Sequence, residues 1–258
     1  MSLLDQDHSL AARLATEAGE LLVQLRRELF AKNSPQYVVK AAGDQIANRF
    51  LIDALRSERP EDAILSEEEG ENRENYLSRL QAERVWIIDP LDGTREFSEP
   101  GRTDWAVHVA MCVAGEPLVG AVSLPELGVT YSTPETAAPP PSNGPPRLVV
   151  SRSRPAYEAM AIRAALDGVL HPLGSAGAKA MAVVRGEADI YAHSGGQYEW
   201  DSCAPAAVAM AYGLHCSRID GSPLIYNQAD VYMPDLLICR KEHAERVLAE
   251  VAGLAPTA

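Results

Sequence analysis

The sequence predicts a mixed α+β first half followed by an α/β second half. Two long segments with helical apolar spacing open the chain, short alternating apolar runs follow, and helix-like and strand-like segments alternate beyond a proline-rich stretch. Leu10, Leu14, Ala18, Leu21, Leu25 and Leu29 recur at intervals of three and four, so residues 6–30 read as an amphipathic helix. A second helix is predicted from Asp44 to Arg56, with Ile46, Ala47, Phe50, Leu51, Ala54 and Leu55 on one face. Ala63 to Leu65 and Val85 to Ile88 read as strands stopped by carboxylates. From Trp105 to Val113 large residues alternate with Ala106, His108 and Ala110, the period of a half-buried strand. Glu116 and Pro117 mark a turn, and Leu118 to Leu124 and Val129 to Ser132 continue an antiparallel meander.

Pro134 to Pro146 holds six prolines and a glycine, which makes it the expected boundary between lobes 1–146 and 147–258. Beyond it come Leu148 to Val150, Ala156 to Leu166, Ala176 to Val184, Asp189 to Tyr191, Ala204 to Tyr212, Leu236 to Cys239 and Glu242 to Val251, an α/β pattern.

A formal net charge of −13 argues against a nucleic-acid backbone or an anionic membrane as the main partner. A small anionic substrate remains compatible where carboxylates gather divalent cations. No apolar run reaches membrane-spanning length, no secretory pattern opens the chain, and Cys112, Cys203, Cys216 and Cys239 form no CxxC pair, so a cytoplasmic location is expected.

The densest chemistry lies in Val85-Trp86-Ile87-Ile88-Asp89-Pro90-Leu91-Asp92-Gly93-Thr94-Arg95-Glu96-Phe97. An apolar strand delivers Asp89, Pro90 is expected to end the strand, and Asp92-Gly93 turns the chain. Two carboxylates and the Leu91 carbonyl then share one edge, a set of hard oxygen donors suited to divalent cations. Thr94 opens the next helix and offers a hydroxyl and free amides to an anion.

This string resembles the principal signature of the inositol monophosphatase superfamily. Leu65-Ser66-Glu67-Glu68, twenty-two residues before Asp89 counted from Glu67, resembles its acidic strand end, and Glu199-Trp200-Asp201 with the small-residue helix after it resembles its second signature. The resemblance implies a layered αβαβα sandwich and two or three Mg²⁺ ions held by Glu67, Asp89, the Leu91 carbonyl, Asp92 and Asp201. It also implies in-line attack by water, whose proton passes toward Thr94 and Asp44 or Glu67. Ser202 is read as the cap of the second-signature helix, with Pro205 in its first turn and Asp201 left free.

Within the superfamily the chain looks most like the CysQ group of bisphosphate nucleotidases. Arg95 follows the Asp92-Gly93-Thr94 turn, Gly174-Ser175-Ala176-Gly177-Ala178-Lys179 resembles a serine and lysine presented to substrate, and His193 stands where inositol phosphatases carry a glutamate. The substrate contacts implied are Asp92, Gly93, Thr94, Arg95, Ser175, Lys179, His193 and Asp201. The resemblance implies hydrolysis of adenosine 3',5'-bisphosphate, or its phosphosulfate analogue, to free phosphate in sulfur assimilation, with lithium sensitivity and often a homodimer. The alternatives are an inositol or fructose phosphatase, or a non-catalytic metal- or nucleotide-binding protein, on the same scaffold.

Overall fold

The structure is a computed structural model and describes residues 2–68, 77–134 and 137–254. Glu69, residues 135–136 of the proline-rich stretch and residues 255–258 lie outside them. The described elements are α1 (Leu3–Ala31), α2 (Gln36–Glu58), β1 (Ala63–Ser66), β2 (Arg84–Asp92), α3 (Thr94–Ser98), β3 (Ala106–Val113), β4 (Glu116–Leu124) and β5 (Val129–Ser132). They continue with β6 (Arg147–Ser151), α4 (Tyr157–Ala165), β7 (Val169–Leu173), α5 (Ala176–Val184), β8 (Ile190–Tyr198), α6 (Glu199–Ala211), β9 (His215–Ser217), β10 (Tyr232–Cys239) and α7 (Lys241–Ala252).

Two five-stranded sheets organise these elements, in the orders β1-β2-β3-β4-β5 and β7-β6-β8-β10-β9. Alternation along the strands gives each sheet two apolar faces, and helices cover them. On the first sheet, Trp86, Ile88, Val107, Val109 and Met111 pack against Leu14, Leu22, Leu51 and Leu55 of α1 and α2. The opposite face, with Ile87, Ala106, Ala110 and Val122, meets Met181, Val183, Ala204 and Val208 of α5 and α6, which also cover Val149, Tyr191 and Leu236 of the second sheet. Leu148, Val150 and Leu237 then face Ala159 and Ile162 of α4 and Val247 of α7. The layers therefore run α-β-α-β-α, the sandwich expected, and the central helices belong to a core shared by residues from both halves of the chain.

Several boundaries differ from the sequence reading. α2 begins at Gln36 behind Pro35, so Asp44 lies inside the helix rather than at its start. The β3–β4 turn falls on Ala114 and Gly115, both at positive φ (50° and 85°), and Glu116-Pro117 already belong to β4. β7 and β9 were not foreseen. β7 is an exposed edge strand containing Pro172 and lacks a buried apolar face to announce it. No helix among the described residues is long and apolar enough to cross a membrane.

Candidate active site

β2 does not end at Pro90. It runs to Asp92, and its pairing with β3 slips between Asp89, opposite His108, and Asp92, opposite Ala106. Three residues on β2 therefore face two on β3, a bulge that absorbs one residue at Pro90-Leu91, where proline has no N–H to lose. The bulge matters because residues three apart on a regular strand point to opposite faces, whereas here both acids turn the same way. Oxygen atoms of Asp89, Asp92 and Asp201 lie within 4.8 Å of one another.

Each acid is placed by a different device. The Asp89 side chain accepts from Leu91 N at 3.1 Å. Glu67 continues the parallel ladder beyond β1, its N–H reaching Ile88 O at 3.4 Å, and its carboxyl meets that of Asp89. Asp92 sits at the start of α5, accepting from Ala176 N at 3.1 Å and Gly177 N at 2.6 Å. Asp201 is the third residue of α6 and accepts from Tyr198 N at 2.6 Å. α6 starts at Glu199, so Ser202 is not its cap; the buried Ser202 hydroxyl instead accepts from Tyr226 OH at 3.2 Å. Pro205 is accordingly inside the helix, where its ring leaves the Asp201 carbonyl without an intrahelical N–H.

Gly93, at φ 84°, bends the chain from β2 into α3, and a Cβ there would meet Ser175 Cβ at 2.8 Å. The Thr94 hydroxyl then reaches Leu91 O at 3.2 Å and the Asp44 carboxylate. Asp44 comes this near because its neighbour is Gly43, where any Cβ would lie 2.7 Å from Leu91 and Phe97. A helix-interior residue thus serves the position expected of a helix-start residue.

The electrostatics show a deficit of positive charge. Burial and the neighbouring Glu67, Asp92 and Asp201 carboxylates push Asp89 well above the usual carboxylate range. Asp201 is raised to about 7 by burial and by Asp92. Asp44 is raised to about 7 by burial and Glu68. Glu67 keeps solvent contact, yet its partly desolvated carboxyl among Glu68, Asp92 and Asp44 also reaches about 7. Asp92 alone is lowered: burial opposes ionisation, but His108, Lys179 and the Gly177 N–H outweigh it. Anionic oxygens that repel one another at this density fit hard divalent cations, which supply the missing charge.

Beside the acids opens a cleft of about 490 Å³ lined by Asp92, Gly93, Arg154, Tyr157, Ser175, Lys179, His193 and Asp201, among others. A larger groove, about 670 Å³, lies between α1 and the β4–β5 turn and contains none of the clustered acids. Lys179 is buried rather than a surface charge, with Nζ donating to Gly174 O at 2.6 Å and Ser175 O at 2.8 Å. Ser175 caps α5 by accepting from Ala178 N at 2.9 Å. His193 Nε2 lies 3.1 Å from Gly195 O, and burial together with Lys179 lowers its pKa to about 4, so the ring is neutral near pH 7. Arg95 does not line the cleft; it is exposed and paired with Glu99 at 3.1 Å. Sequence reasoning missed Arg154, which the loop after β6 brings beside His193, and missed His108, whose alternating strand position was legible but whose polar partners were not.

The inositol monophosphatase family model matches residues 3–254. The chain is 51% identical over 245 residues to the 3'-phosphoadenosine 5'-phosphate phosphatase of Mycobacterium tuberculosis strain CDC 1551, covering 92% of this chain and 90% of that protein. It is 31% identical over 251 residues to the Escherichia coli K12 3'(2'),5'-bisphosphate nucleotidase CysQ, covering 90% and 96%. The solved inositol monophosphatase from Anabaena superposes with a TM-score of 0.77 at 21% identity, covering 99% of this chain and 98% of that one. With the layered fold and the acids at the bulge, these matches show that the chain belongs to the inositol monophosphatase family.

Proposed function

We propose that this protein is a Mg²⁺-dependent phosphomonoesterase that removes the 3'-phosphate of adenosine 3',5'-bisphosphate to leave AMP. The observation that carries the reading is the set of mutually repelling acids at the β2 bulge, adjoining a cleft that contains Lys179 and Arg154. The 51% identity to a mycobacterial protein named for this activity supports the substrate.

Glu67, Asp89, the Leu91 carbonyl, Asp92 and Asp201 would hold the cations. Bound there, Mg²⁺ supplies charge neutralisation at the phosphate and lowers the pKa of water toward neutrality. The side chains provide the rest. Thr94 Oγ1 accepts a proton from the attacking water while its own proton moves to the Asp44 carboxylate, whose pKa of about 7 suits a base working near neutral pH. The Gly93 turn and the start of α5 confine the phosphate beside Asp92. Lys179 and Arg154 face the second phosphate, and neutral His193 contributes a hydrogen bond rather than charge.

Initial rates of phosphate release from adenosine 3',5'-bisphosphate, inositol 1-phosphate and fructose 1,6-bisphosphate, each with Mg²⁺ and with chelator, test both parts. A preference of about a hundredfold in kcat/KM for the nucleotide, equal to about 2.7 kcal/mol, is expected, with no activity in chelator. Preference for the polyol or sugar phosphate would overturn the substrate, and full activity in chelator would overturn the metal site.

A further inference from the structure

We propose that His108 is a positioning residue that fixes the spacing of Asp92 and Asp201. The proposal rests on reading these two acids as metal ligands. They come from different halves of the chain, Asp92 from the end of β2 and Asp201 from the first turn of α6. No backbone hydrogen-bond ladder among the described residues ties β2 to α6, so their separation is set by the side chains packed between them.

His108 stands between them. It lies in the middle of β3, fully buried, on the face that also carries Ala106 and Ala110. Those small neighbours let α5 and α6 approach the sheet, and His108 is the one polar side chain in that row. Its Nδ1 is 3.0 Å from the carbonyl of Trp200, the residue before Asp201. Its Nε2 is 3.2 Å from Asp92 Oδ2, within ion-pair range but without the alignment of a full hydrogen bond. One rigid ring therefore spans from one acid to the backbone that bears the other.

The surroundings lock the ring in place. A Cβ on Gly177 would fall 2.1 Å from Nε2, so α5 rests directly on the imidazole. The same turn of α5 donates to both oxygens of Asp92, at 3.1 Å from Ala176 and 2.6 Å from Gly177. A carboxylate offers about four lone-pair sites, and Ala176, Gly177 and His108 face three of them. Two amides and the ring thus hold Asp92 from three directions, whereas among the described residues Asp201 accepts from Tyr198 N alone.

Partners that orient metal ligands typically contribute about 10- to 100-fold in metal affinity. The test is calorimetric titration of Mn²⁺ into chelator-stripped full-length protein, wild type against His108→Leu, His108→Gln and His108→Asn, with metal-free melting curves for each. The amide nitrogen of Gln approximates Nε2 and that of Asn approximates Nδ1, so each keeps one arm of the bridge. Wild type should bind, the Leu variant should bind about 10- to 100-fold more weakly, and Gln and Asn should each recover part of the loss. Equal affinity in all four proteins, with only the melting temperature lowered, would reduce His108 to core filling and overturn the proposal. Absence of Mn²⁺ binding to wild type would instead defeat the metal-site reading beneath it. Should the Leu variant not fold, the Gln and Asn variants carry the test: weaker binding in both supports the proposal, and wild-type affinity in both would overturn it.

Discussion

Asp89 and Asp189 are both withdrawn from solvent beside the ends of strands, 1% and 0% exposed, yet their surroundings are opposite. Around Asp189, Arg147 donates from Nε at 2.9 Å and from its backbone at 2.8 Å, and Arg240 donates from Nε at 2.8 Å. Burial alone would raise its pKa, but Arg147, through its side chain and backbone, and Ser142 overcome it and hold the carboxylate down to about 2. Around Asp89 the neighbours are Glu67, Asp92 and Asp201, and the pKa is driven upward. The first arrangement is complete as folded and belongs to structure. The second lacks counter-charge, and that lack supports the proposed reading of it as a site for cations from solution.

Matched substitutions give the strongest way to break this comparison. Asp89→Asn should lower kcat by about 10²–10³-fold, the scale of losing one group that stabilises developing charge, while leaving the metal-free protein as stable as before or more so. Asp189→Asn should do the reverse. It strands the buried guanidinium of Arg240 and the partly exposed one of Arg147, and should destabilise the fold by about 3 kcal/mol, with kcat/KM per folded molecule unchanged. Denaturant melts in chelator beside steady-state kinetics in Mg²⁺ decide the matter, and a large stability loss in Asp89→Asn would erase the distinction.

The distinction was only partly legible in the sequence. The Asp89-to-Thr94 string announced its acids because they sit within a few residues of one another, and helical and strand periods announced the layers. What stayed hidden depends on partners distant along the chain. Nothing near His108 shows that Trp200 will come to meet it, and nothing near Lys179 shows that its ammonium will turn back onto Gly174 and Ser175. Asp44 was read at a helix start from the apolar period and given its role by motif order, and Gly43, needed for contact with Leu91 and Phe97, explains how an interior residue reaches Thr94. The bulge was read as a strand end because proline stops most strands; the slip that aligns the two acids appears only with the β3 register.

The two regions should also respond oppositely to pH. Asp44, Glu67 and Asp201 have folded-state pKa values of about 7, above those of the unfolded chain, so the native state binds more protons between about 4 and 7. Metal-free stability should therefore fall as pH rises through that window and level off above it. Asp189, depressed to about 2, contributes stability that is present above about 4 and lost as pH falls toward 2. Melting curves in chelator from pH 5 to 8 should slope downward. Mg²⁺ at a hundred times its dissociation constant should add about 2.7 kcal/mol near pH 8 and flatten the slope. A chelated protein that gains stability over this range would contradict the picture of uncompensated acids.

The smallest expected effect separates two arginines that composition alone makes equivalent. Arg95 adjoins the signature but is spent on Glu99, whereas Arg154 lines the cleft and no ion pair to it appears among the described residues. Arg154 is exposed, so a phosphate contact there is screened by water and salt and should be worth about tenfold in KM rather than more. Arg154→Ala should raise KM for adenosine 3',5'-bisphosphate by about that factor and leave adenosine 3'-monophosphate, which lacks the second phosphate, unaffected. Arg95→Ala should change neither. If both substrates weaken equally in Arg154→Ala, the guanidinium acts on the phosphate being removed or on the shape of the loop, and the second-phosphate assignment passes to Lys179.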